Sequence, residues 1–129
     1  LDYYQVPLVG KNVVMVGYGS VVGRPLTLML LGERATVTVC RSTTKNLPAI
    51  TRQADVILCA VGKPNLITED MVKDGAVIVD IGINSLEGKL VGDVPEDVKK
   101  AKASAYTPVP GGVGVVSNLM VMETLTRNL

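Results

Sequence analysis

The chain has 129 residues, a length typical of one domain that buries its own core. Its net charge of +1, and the lack of any aromatic residue except four tyrosines, argue against a nucleic-acid or membrane partner. Histidine is absent, which excludes a histidine-ligated metal site or a Ser-His-Asp triad within these residues, and we expect no metal.

The two cysteines, Cys40 and Cys59, lie in separate apolar runs, where buried, reduced thiols are expected rather than a disulfide. No apolar run approaches the roughly 20 residues of a membrane span, and no signal peptide is recognisable, so we expect a cytoplasmic location. Because the chain begins at Leu1 without a methionine, we interpret it as a fragment. Residues 1–10 would be a linker or the end of a preceding helix, and 11–129 the domain.

Strand and helix patterns alternate from residue 11 onward. Short β-branched apolar runs predict strands, and longer segments bounded by capping or breaking residues predict helices. In chain order we predict strand 12–17, helix 22–32 with Gly32 as its C′ residue, strand 35–40, helix 46–53, strand 55–60, helix 68–72, strand 76–81, a loop or small hairpin at 84–92, a polar surface helix at 95–100, strand 103–107, a Pro/Gly loop at 108–114 and an apolar helix at 115–125.

Strands that are hydrophobic along their whole length are typical of a parallel sheet covered on both faces. Their alternation with helices predicts an α/β fold: a doubly wound, mostly parallel, Rossmann-like sheet in a single domain, with another α/β topology as the alternative. Ligands of such sheets bind beyond the carboxyl ends of the strands. The loops that follow Val16, Cys40, Ala60 and Ile81 therefore form the candidate site.

The first of these loops, GYGSVVGRP at 17–25, has the spacing G-x-G-x-x-x-G, one residue longer than the standard dinucleotide fingerprint. Gly17 and Gly19 would allow a tight turn and a close approach of the backbone to a pyrophosphate. The N-terminus of the next helix supplies free N–H groups and a partial positive charge. A purely structural turn is the alternative.

The second loop indicates which nucleotide to expect. A site that prefers NAD usually places an acidic residue about 20 residues beyond the glycines, but no Asp or Glu occurs between Glu33 and Asp55. Arg41, Ser42 and Lys45 stand there instead, and a guanidinium with a hydroxyl suits a 2′-phosphate. We therefore expect NADP rather than NAD, with a merely solvated polar loop as the alternative.

The remaining loops carry small and polar residues. Ala60 and Gly62 leave room for a ribose and a pyrophosphate, and Lys63 is either a phosphate partner or an exposed lysine. Asp80 is as compatible with a structural role as with a functional one, and without an acid–base partner we assign it no catalytic role. The loop at 107–114 holds two prolines and three glycines, which predict a rigid path close to a flat ligand, or a plain structural turn.

Taken in order, the motifs GYGSVVGRP, ATVTVCRSTT, DVILCAVGKP, VIVDIGIN, GKLVGDV and TPVPGGVG resemble a known family from about residue 9 onward. That family is the C-terminal, cofactor-binding domain of bifunctional methylenetetrahydrofolate dehydrogenase/methenyltetrahydrofolate cyclohydrolase. The resemblance implies NADP-linked oxidation of 5,10-methylenetetrahydrofolate to the 5,10-methenyl form, hydrolysis of that product to 10-formyltetrahydrofolate, and a homodimer. It also implies that folate binds at an interface with an N-terminal domain that these residues lack.

The catalytic Lys and Tyr of the family come from that N-terminal domain, so we expect no catalytic residue here, and cofactor binding without turnover. The resemblance and the loop chemistry together predict two sets of contacts. The cofactor-binding set is Gly17, Tyr18, Gly19, Ser20, Arg41, Ser42, Ala60, Gly62, Ile83 and Ser117. The folate-facing set is Pro110, Gly111 and Gly114.

Three departures from the family pattern bear on these contacts. Tyr18-Gly19 stands where the family usually has Arg-Ser, and that arginine commonly meets the 2′-phosphate. Arg41 stands where the family often has His, so we hypothesise that Arg41 takes over the lost charge. VVS at 115–117 stands where the family has Pro-Met-Thr, and Ser117 keeps a hydroxyl for the nicotinamide side.

Two other interpretations stay open from the sequence. One is a stand-alone dinucleotide-sensing or scaffolding module, which a start codon just before Leu1 would support. The other is half of a different Rossmann dehydrogenase, against which the motif TPVPGGVG argues.

Overall fold

A five-stranded parallel sheet forms the centre of the computed structural model, which describes residues 1–129. Its strands are the short β-branched apolar runs, which suit a pleated, buried surface. In chain order the elements are β1 (Asn12–Val16), α1 (Gly23–Gly32), β2 (Thr36–Cys40), α2 (Leu47–Thr51), β3 (Val56–Cys59), a 3-10 helix (Glu69–Met71), β4 (Val77–Asp80), β5 (Asn84–Leu86), β6 (Lys89–Val91), α3 (Glu96–Lys102), β7 (Ala105–Tyr106) and α4 (Val113–Arg127).

The strands of the sheet lie in the order β2-β1-β3-β4-β7, and β5 and β6 form a separate antiparallel hairpin. β1 therefore has a parallel partner on each side: Val16 lies opposite Cys40 of β2 and Cys59 of β3. The winding of the chain reverses between β1 and β3, and ligands of doubly wound sheets bind at such a switch point. This topology confirms the predicted doubly wound, mostly parallel α/β fold.

Both faces of the sheet are covered by other elements. Successive side chains of a strand point to opposite faces, so β1 and β3 each contribute to two separate buried clusters. On one face, Val14 and Ile57 belong to a buried cluster that α2, the 3-10 helix and α3 complete. On the other face, Met15 and Leu58 pack with α1 and with Leu8. Part of the segment 1–10 thus packs on the sheet.

The end of α1 differs from the prediction. Gly32 is still helical, Glu33 is the C-cap, and Arg34 adopts the left-handed conformation with a φ of 61°. The N–H of Arg34 donates to the carbonyl of Leu31 at 3.3 Å, and its own carbonyl accepts from the N–H of Gly10 at 3.1 Å. This contact places the chain reversal at Arg34, so the prediction of Gly32 as the C′ residue was wrong.

α3 is not the polar surface helix that its composition predicts. Val98 and Lys99 are buried, and Lys99 is 0% exposed. A lysine is stable inside because the carboxylate of Asp80, which is 1% exposed, lies 3.0 Å from its Nζ. Asp80 comes from β4, so no local sequence pattern indicates this pairing.

α4 has no buried residue, although it is largely apolar. Its exposed apolar residues are Val115, Val116, Leu119, Met120, Val121, Met122 and Leu125. Exposed apolar surface of this extent is common on surfaces that contact another protein or domain. None of the helices is both long and apolar enough to cross a bilayer.

Candidate dinucleotide-binding site

A groove of about 570 Å³ lies at the carboxyl ends of β1, β2 and β3, beside the switch point of the sheet. Its walls come mainly from the ends of these strands and the loops that follow them, with single residues from α1 and α2. The lining residues are Val16, Gly17, Tyr18, Gly19, Arg24, Cys40, Arg41, Ser42, Thr44, Leu47, Ala60, Val61, Lys63 and Leu66. The groove therefore forms where the sequence predicts the ligand site.

The turn after β1 depends on two glycines that pack against backbone. Gly17 has a φ of +106°, and a Cβ at this position would collide with the carbonyl group of Ala60. A Cβ at Gly23 would collide with the carbonyl group of Gly17 itself. Gly19 has open space where its Cβ would lie, so no protein contact requires glycine there. This open space leaves the backbone of the turn accessible to a ligand.

Two arginines stack on one tyrosine at the groove. The Cζ atom of Arg41 lies 4.1 Å from the centroid of the Tyr18 ring, and the Cζ atom of Arg24 lies 5.4 Å from it. Both distances are within the range in which an aromatic face attracts a guanidinium. The Tyr18 ring therefore has two positive charges from different elements beside it, and all three residues line the groove.

The loop after β2 is held by its own hydrogen bonds. The N–H of Arg41 donates to Oγ1 of Thr44 at 2.7 Å, and the N–H of Thr44 donates to the carbonyl of Arg41 at 3.0 Å. Ser42 lines the groove within this turn. With the cations of Arg24, Arg41 and Lys63 and no carboxylate among its lining residues, the groove suits a phosphate group.

A second, smaller cavity of about 160 Å³ lies beyond the end of β4. Its lining residues are Asp80, Ile81, Ile83, Leu90, 108–115 and Asn118. A Cβ at Gly114 would lie 3.7 Å from Cδ1 of Ile83, so these two residues are direct neighbours here. The predicted rigid loop thus forms most of the wall of this cavity.

The structure divides the predicted contacts between the two spaces. The cofactor-binding candidates that line the groove are Gly17, Tyr18, Gly19, Arg41, Ser42 and Ala60. The smaller cavity brings Ile83 together with the three folate-facing candidates, Pro110, Gly111 and Gly114. Ser20, Gly62 and Ser117 line neither space.

Sequence reasoning missed Arg24 and Thr44 in the groove. Arg24 stands at the start of α1, directly after the last glycine of the turn, and this position was the available signal. Thr44 lines the groove, and its side chain accepts the N–H of Arg41, a hydrogen bond that the sequence does not reveal.

Asp80 has a structural role. Its carboxylate accepts hydrogen bonds from the N–H groups of Gly82, Asp93 and Val94 at 3.0–3.2 Å and pairs with Lys99. These partners leave the carboxylate fully engaged, which decides the alternative that the sequence left open. No group of three or more metal-ligating side chains is present in the chain.

Both cysteines are buried and free, as predicted. Burial raises the pKa of the Cys40 thiol, and it raises the pKa of the Cys59 thiol well above its usual value. Both thiols are therefore protonated at neutral pH, and neither has the thiolate character of a nucleophile.

A phosphate-compatible groove at the switch point of a doubly wound sheet defines a dinucleotide-binding domain of the Rossmann type. The family model described as tetrahydrofolate dehydrogenase/cyclohydrolase, NAD(P)-binding domain, matches residues 1–129. The chain belongs to this family. The match over the whole chain decides against half of a different Rossmann dehydrogenase.

Individual relatives agree with the family match. The chain is 52% identical to the bifunctional protein FolD of Lactobacillus helveticus over 127 residues, which are 98% of this chain and 45% of that protein. It resembles the crystal structure of the bifunctional enzyme FolD from Campylobacter jejuni with a TM-score of 0.86 and 52% identity, over 88% of this chain and 41% of that one.

A FolD enzyme of Trypanosoma brucei, solved in complex with NADP cofactor and inhibitor, matches with a TM-score of 0.82 and 39% identity, over 88% of this chain and 41% of that one. In the curated relatives the matched region is about 45% of the protein, so the chain spans about half their length.

Proposed function

We propose that this chain is the NADP-binding part of an enzyme that oxidises 5,10-methylenetetrahydrofolate to 5,10-methenyltetrahydrofolate and hydrolyses that product to 10-formyltetrahydrofolate. The family match supports the reaction, and the observation that carries the choice of NADP is the charge of the groove. Three cations line it and no carboxylate does, and Arg41 and Ser42 stand where an NAD site would carry an acid. The relative solved with NADP supports the same cofactor.

The donors of the groove fit the phosphates of this cofactor. The backbone of Gly17 and Gly19 and the N-terminus of α1 would hold the pyrophosphate. The guanidinium of Arg41 and the hydroxyl of Ser42 would hold the 2′-phosphate, with Arg24 as a second cation beside Tyr18. Bound NADP would supply the hydride acceptor for the oxidation.

The smaller cavity is the proposed folate side. Pro110, Gly111 and Gly114 would border the folate, while Ile83 and Ser117 would lie toward the nicotinamide end. Ser20 and Gly62 are proposed as cofactor contacts through their places in the loops after β1 and β3. No residue of this chain is proposed as catalytic, because neither space holds an acid–base pair.

A folate-binding domain outside these residues would therefore supply the catalytic groups. The exposed apolar side of α4 supports a further partner of this kind, either that domain or a second copy in a homodimer. The two free cysteines fit a reducing compartment, and we propose a cytoplasmic location.

Titration of this chain with NADPH and with NADH, followed by fluorescence or calorimetry, tests the cofactor assignment. We expect tighter binding of NADPH. Arg41→Ala should weaken NADPH more than NADH, by about 1.5–3 kcal/mol, because a charge-assisted hydrogen bond to the 2′-phosphate is lost. Arg52→Ala is the matched control, since Arg52 is an exposed arginine that does not line the groove.

Equal or tighter binding of NADH would overturn the assignment of NADP, and an unchanged preference in the Arg41 variant would make Arg41 a surface residue. We also expect no oxidation of 5,10-methylenetetrahydrofolate by this chain alone. Turnover by these 129 residues would contradict the view that a separate domain supplies catalysis.

A stand-alone dinucleotide-binding module is the second candidate. The lack of an acid–base pair in both cavities favours it, because such a module binds a nucleotide without chemistry. The encoding reading frame discriminates the two: a folate-binding half upstream supports the enzyme, and a start codon just before Leu1 supports the module.

A further inference from the structure

A network of charged side chains lies between the walls of the two cavities, and one member, Asp80, lines the smaller one. Asp93 and Lys99 are each 0% exposed, and Asp80 is 1% exposed. Glu96 is half-buried at the start of α3 and completes the network. None of the four is among the predicted cofactor or folate contacts. Burial of so many charges is costly unless each one is paired or hydrogen-bonded.

Asp93 binds the loop after β3 from behind. The N–H groups of Val61, Gly62 and Lys63 donate to its carboxylate at 2.7, 3.2 and 2.9 Å. The side-chain amide of Asn84 adds a fourth donor at 3.1 Å. Three successive backbone N–H groups around one carboxylate form an anion-binding nest, which holds the loop in one conformation. Val61 and Lys63 of this loop also line the groove.

Asp80 fixes the position of Asp93. Its carboxylate accepts the backbone N–H groups of Asp93 and Val94, each at 3.0 Å, and that of Gly82 at 3.2 Å. Lys99 compensates its charge at 3.0 Å. The segment that carries Asp93 is therefore attached to the end of β4 and to α3.

Glu96 extends the network to the loop that borders the smaller cavity. Its Oε1 lies 2.8 Å from Nζ of Lys99 and accepts the N–H of Val109 at 3.3 Å. Thr107, at the start of the same loop, accepts the N–H of Asp80 on its Oγ1 at 2.8 Å. One continuous set of contacts thus connects the wall of the groove with the wall of the second cavity.

Two glycines leave the space that the carboxylates occupy. A Cβ at Gly82 would collide with the carboxylate of Asp93, and a Cβ at Gly92 would collide with that of Asp80. Neither glycine has a φ in the left-handed region, so backbone freedom does not explain them. Their role is the close approach of the two acids to the backbone.

We propose that Asp93 is a positioning residue for cofactor binding: its carboxylate holds the loop after β3 in the conformation that receives the dinucleotide. Through Asp80, Lys99 and Glu96, the position of that loop is fixed relative to the loop at 107–112. The inference rests on the proposed function, because it takes a dinucleotide as the occupant of the groove.

The substitution Asp93→Asn tests this positioning role, because it changes the charge of the side chain but hardly its volume. The amide offers one acceptor oxygen, and its NH2 group faces the N–H donors of the loop. We expect hydrogen–deuterium exchange at the amides of 61–63 to accelerate by about tenfold, while exchange within β3 is unchanged. The dissociation constants for NADPH and NADH should rise in the same proportion, by about tenfold, since the proposed contacts of the 2′-phosphate, Arg41 and Ser42, belong to a different loop.

Asp97→Asn is the matched control, because it removes the same charge from the exposed side of α3 and should change neither exchange at 61–63 nor affinity. If Asp93→Asn does not fold, Asn84→Ala removes one partner of the carboxylate and should give the same pattern at about threefold.

Three results would overturn the positioning role. Faster exchange at 61–63 with both affinities unchanged would show that the held loop does not matter for binding. Equal acceleration within β3 would show a general loss of stability. A wild-type chain that binds neither dinucleotide would refute the proposed function, and the positioning role with it, even if exchange at 61–63 still depends on Asp93.

Discussion

Under the proposed function, Tyr18 and Arg41 together would serve a 2′-phosphate without the arginine that the family resemblance leads one to expect in place of Tyr18. An aromatic ring has no charge of its own, but its face attracts a guanidinium. Arg41 lies 4.1 Å and Arg24 lies 5.4 Å from the centre of the ring. The positive charge is therefore present at the site, delivered from the loop after β2 and from the start of α1.

This arrangement predicts that the ring matters and its hydroxyl does not. Tyr18→Phe should keep the preference for NADPH over NADH. Tyr18→Leu should reduce that preference by about 0.5–1 kcal/mol, because the two arginines lose the surface that orients them. Titration of each variant with both cofactors measures the effect. If Tyr18→Phe lost as much of the preference for NADPH as Tyr18→Leu, the hydroxyl and not the ring would be responsible for that preference.

At the scale of the element, α1 contains two glycines with different roles. Gly23 packs against the backbone of the turn, and a Cβ there would collide with Gly17. Gly32 lies in the last turn with open space around it and no left-handed φ. Glycine is thus required by packing at the start of the helix, whereas at its end glycine only lowers the stability of the helix.

The paired substitutions to alanine separate these roles. Gly23→Ala should destabilise the fold by about 1–3 kcal/mol and weaken NADPH binding, because the turn must shift to admit the methyl group. Gly32→Ala should stabilise the fold by about 0.5–1 kcal/mol and leave binding unchanged, since alanine is the better helix former. Urea unfolding and cofactor titration report both effects. Similar behaviour of the two variants would refute the packing argument.

At the scale of the whole molecule, Asp55 connects the start of β1 with the segment before β4. Its carboxylate accepts a hydrogen bond from the ammonium of Lys73 and another from the N–H of Asn12, the latter at 2.9 Å. The hydrogen bond from Lys73, followed by that from Asn12, lowers the pKa of the Asp55 carboxyl below its ordinary value.

A lowered pKa in the folded state makes this contribution dependent on pH. It is fully present above about pH 4, where the unfolded carboxyl is ionised, and it is lost as the pH falls through the folded pKa. Asp55→Asn should therefore lower the free energy of unfolding by about 0.5–1 kcal/mol at pH 7, and the difference should shrink toward pH 3.

Urea unfolding at both pH values checks this, with Asp74→Asn as control. Asp74 forms a more exposed pair with Lys102 and accepts no backbone N–H, so its variant should change stability by less than about 0.5 kcal/mol. An Asp55 variant whose deficit is the same at pH 7 and pH 3 would show that its charge is not the cause.

Much of the fold is predictable from local patterns. The buried strands around Val14 and Ile57 are recognisable because an apolar β-branched run has few other stable environments, and the glycine turn after β1 follows from its spacing. The exact end of α1 was not predictable, because the hydrogen bond between Gly10 and Arg34 that places the reversal joins residues far apart in sequence.

The candidate site, like the fold, is predictable from the sequence only in part. The sequence by itself determined the class of fold, the loops that carry the site and the basic residues of the loop after β2, since these depend on residue type and order. Only the tertiary structure decided that Arg24 joins Arg41 at the Tyr18 ring, that Lys99 is buried against Asp80, and that Asp93 holds the loop after β3. All of these contacts join residues on different elements. For Asp80, Asp93 and Lys99, the low dielectric of the interior makes pairing necessary. Arg24 and Arg41 are exposed, and they meet at the Tyr18 ring only because the fold brings their elements together.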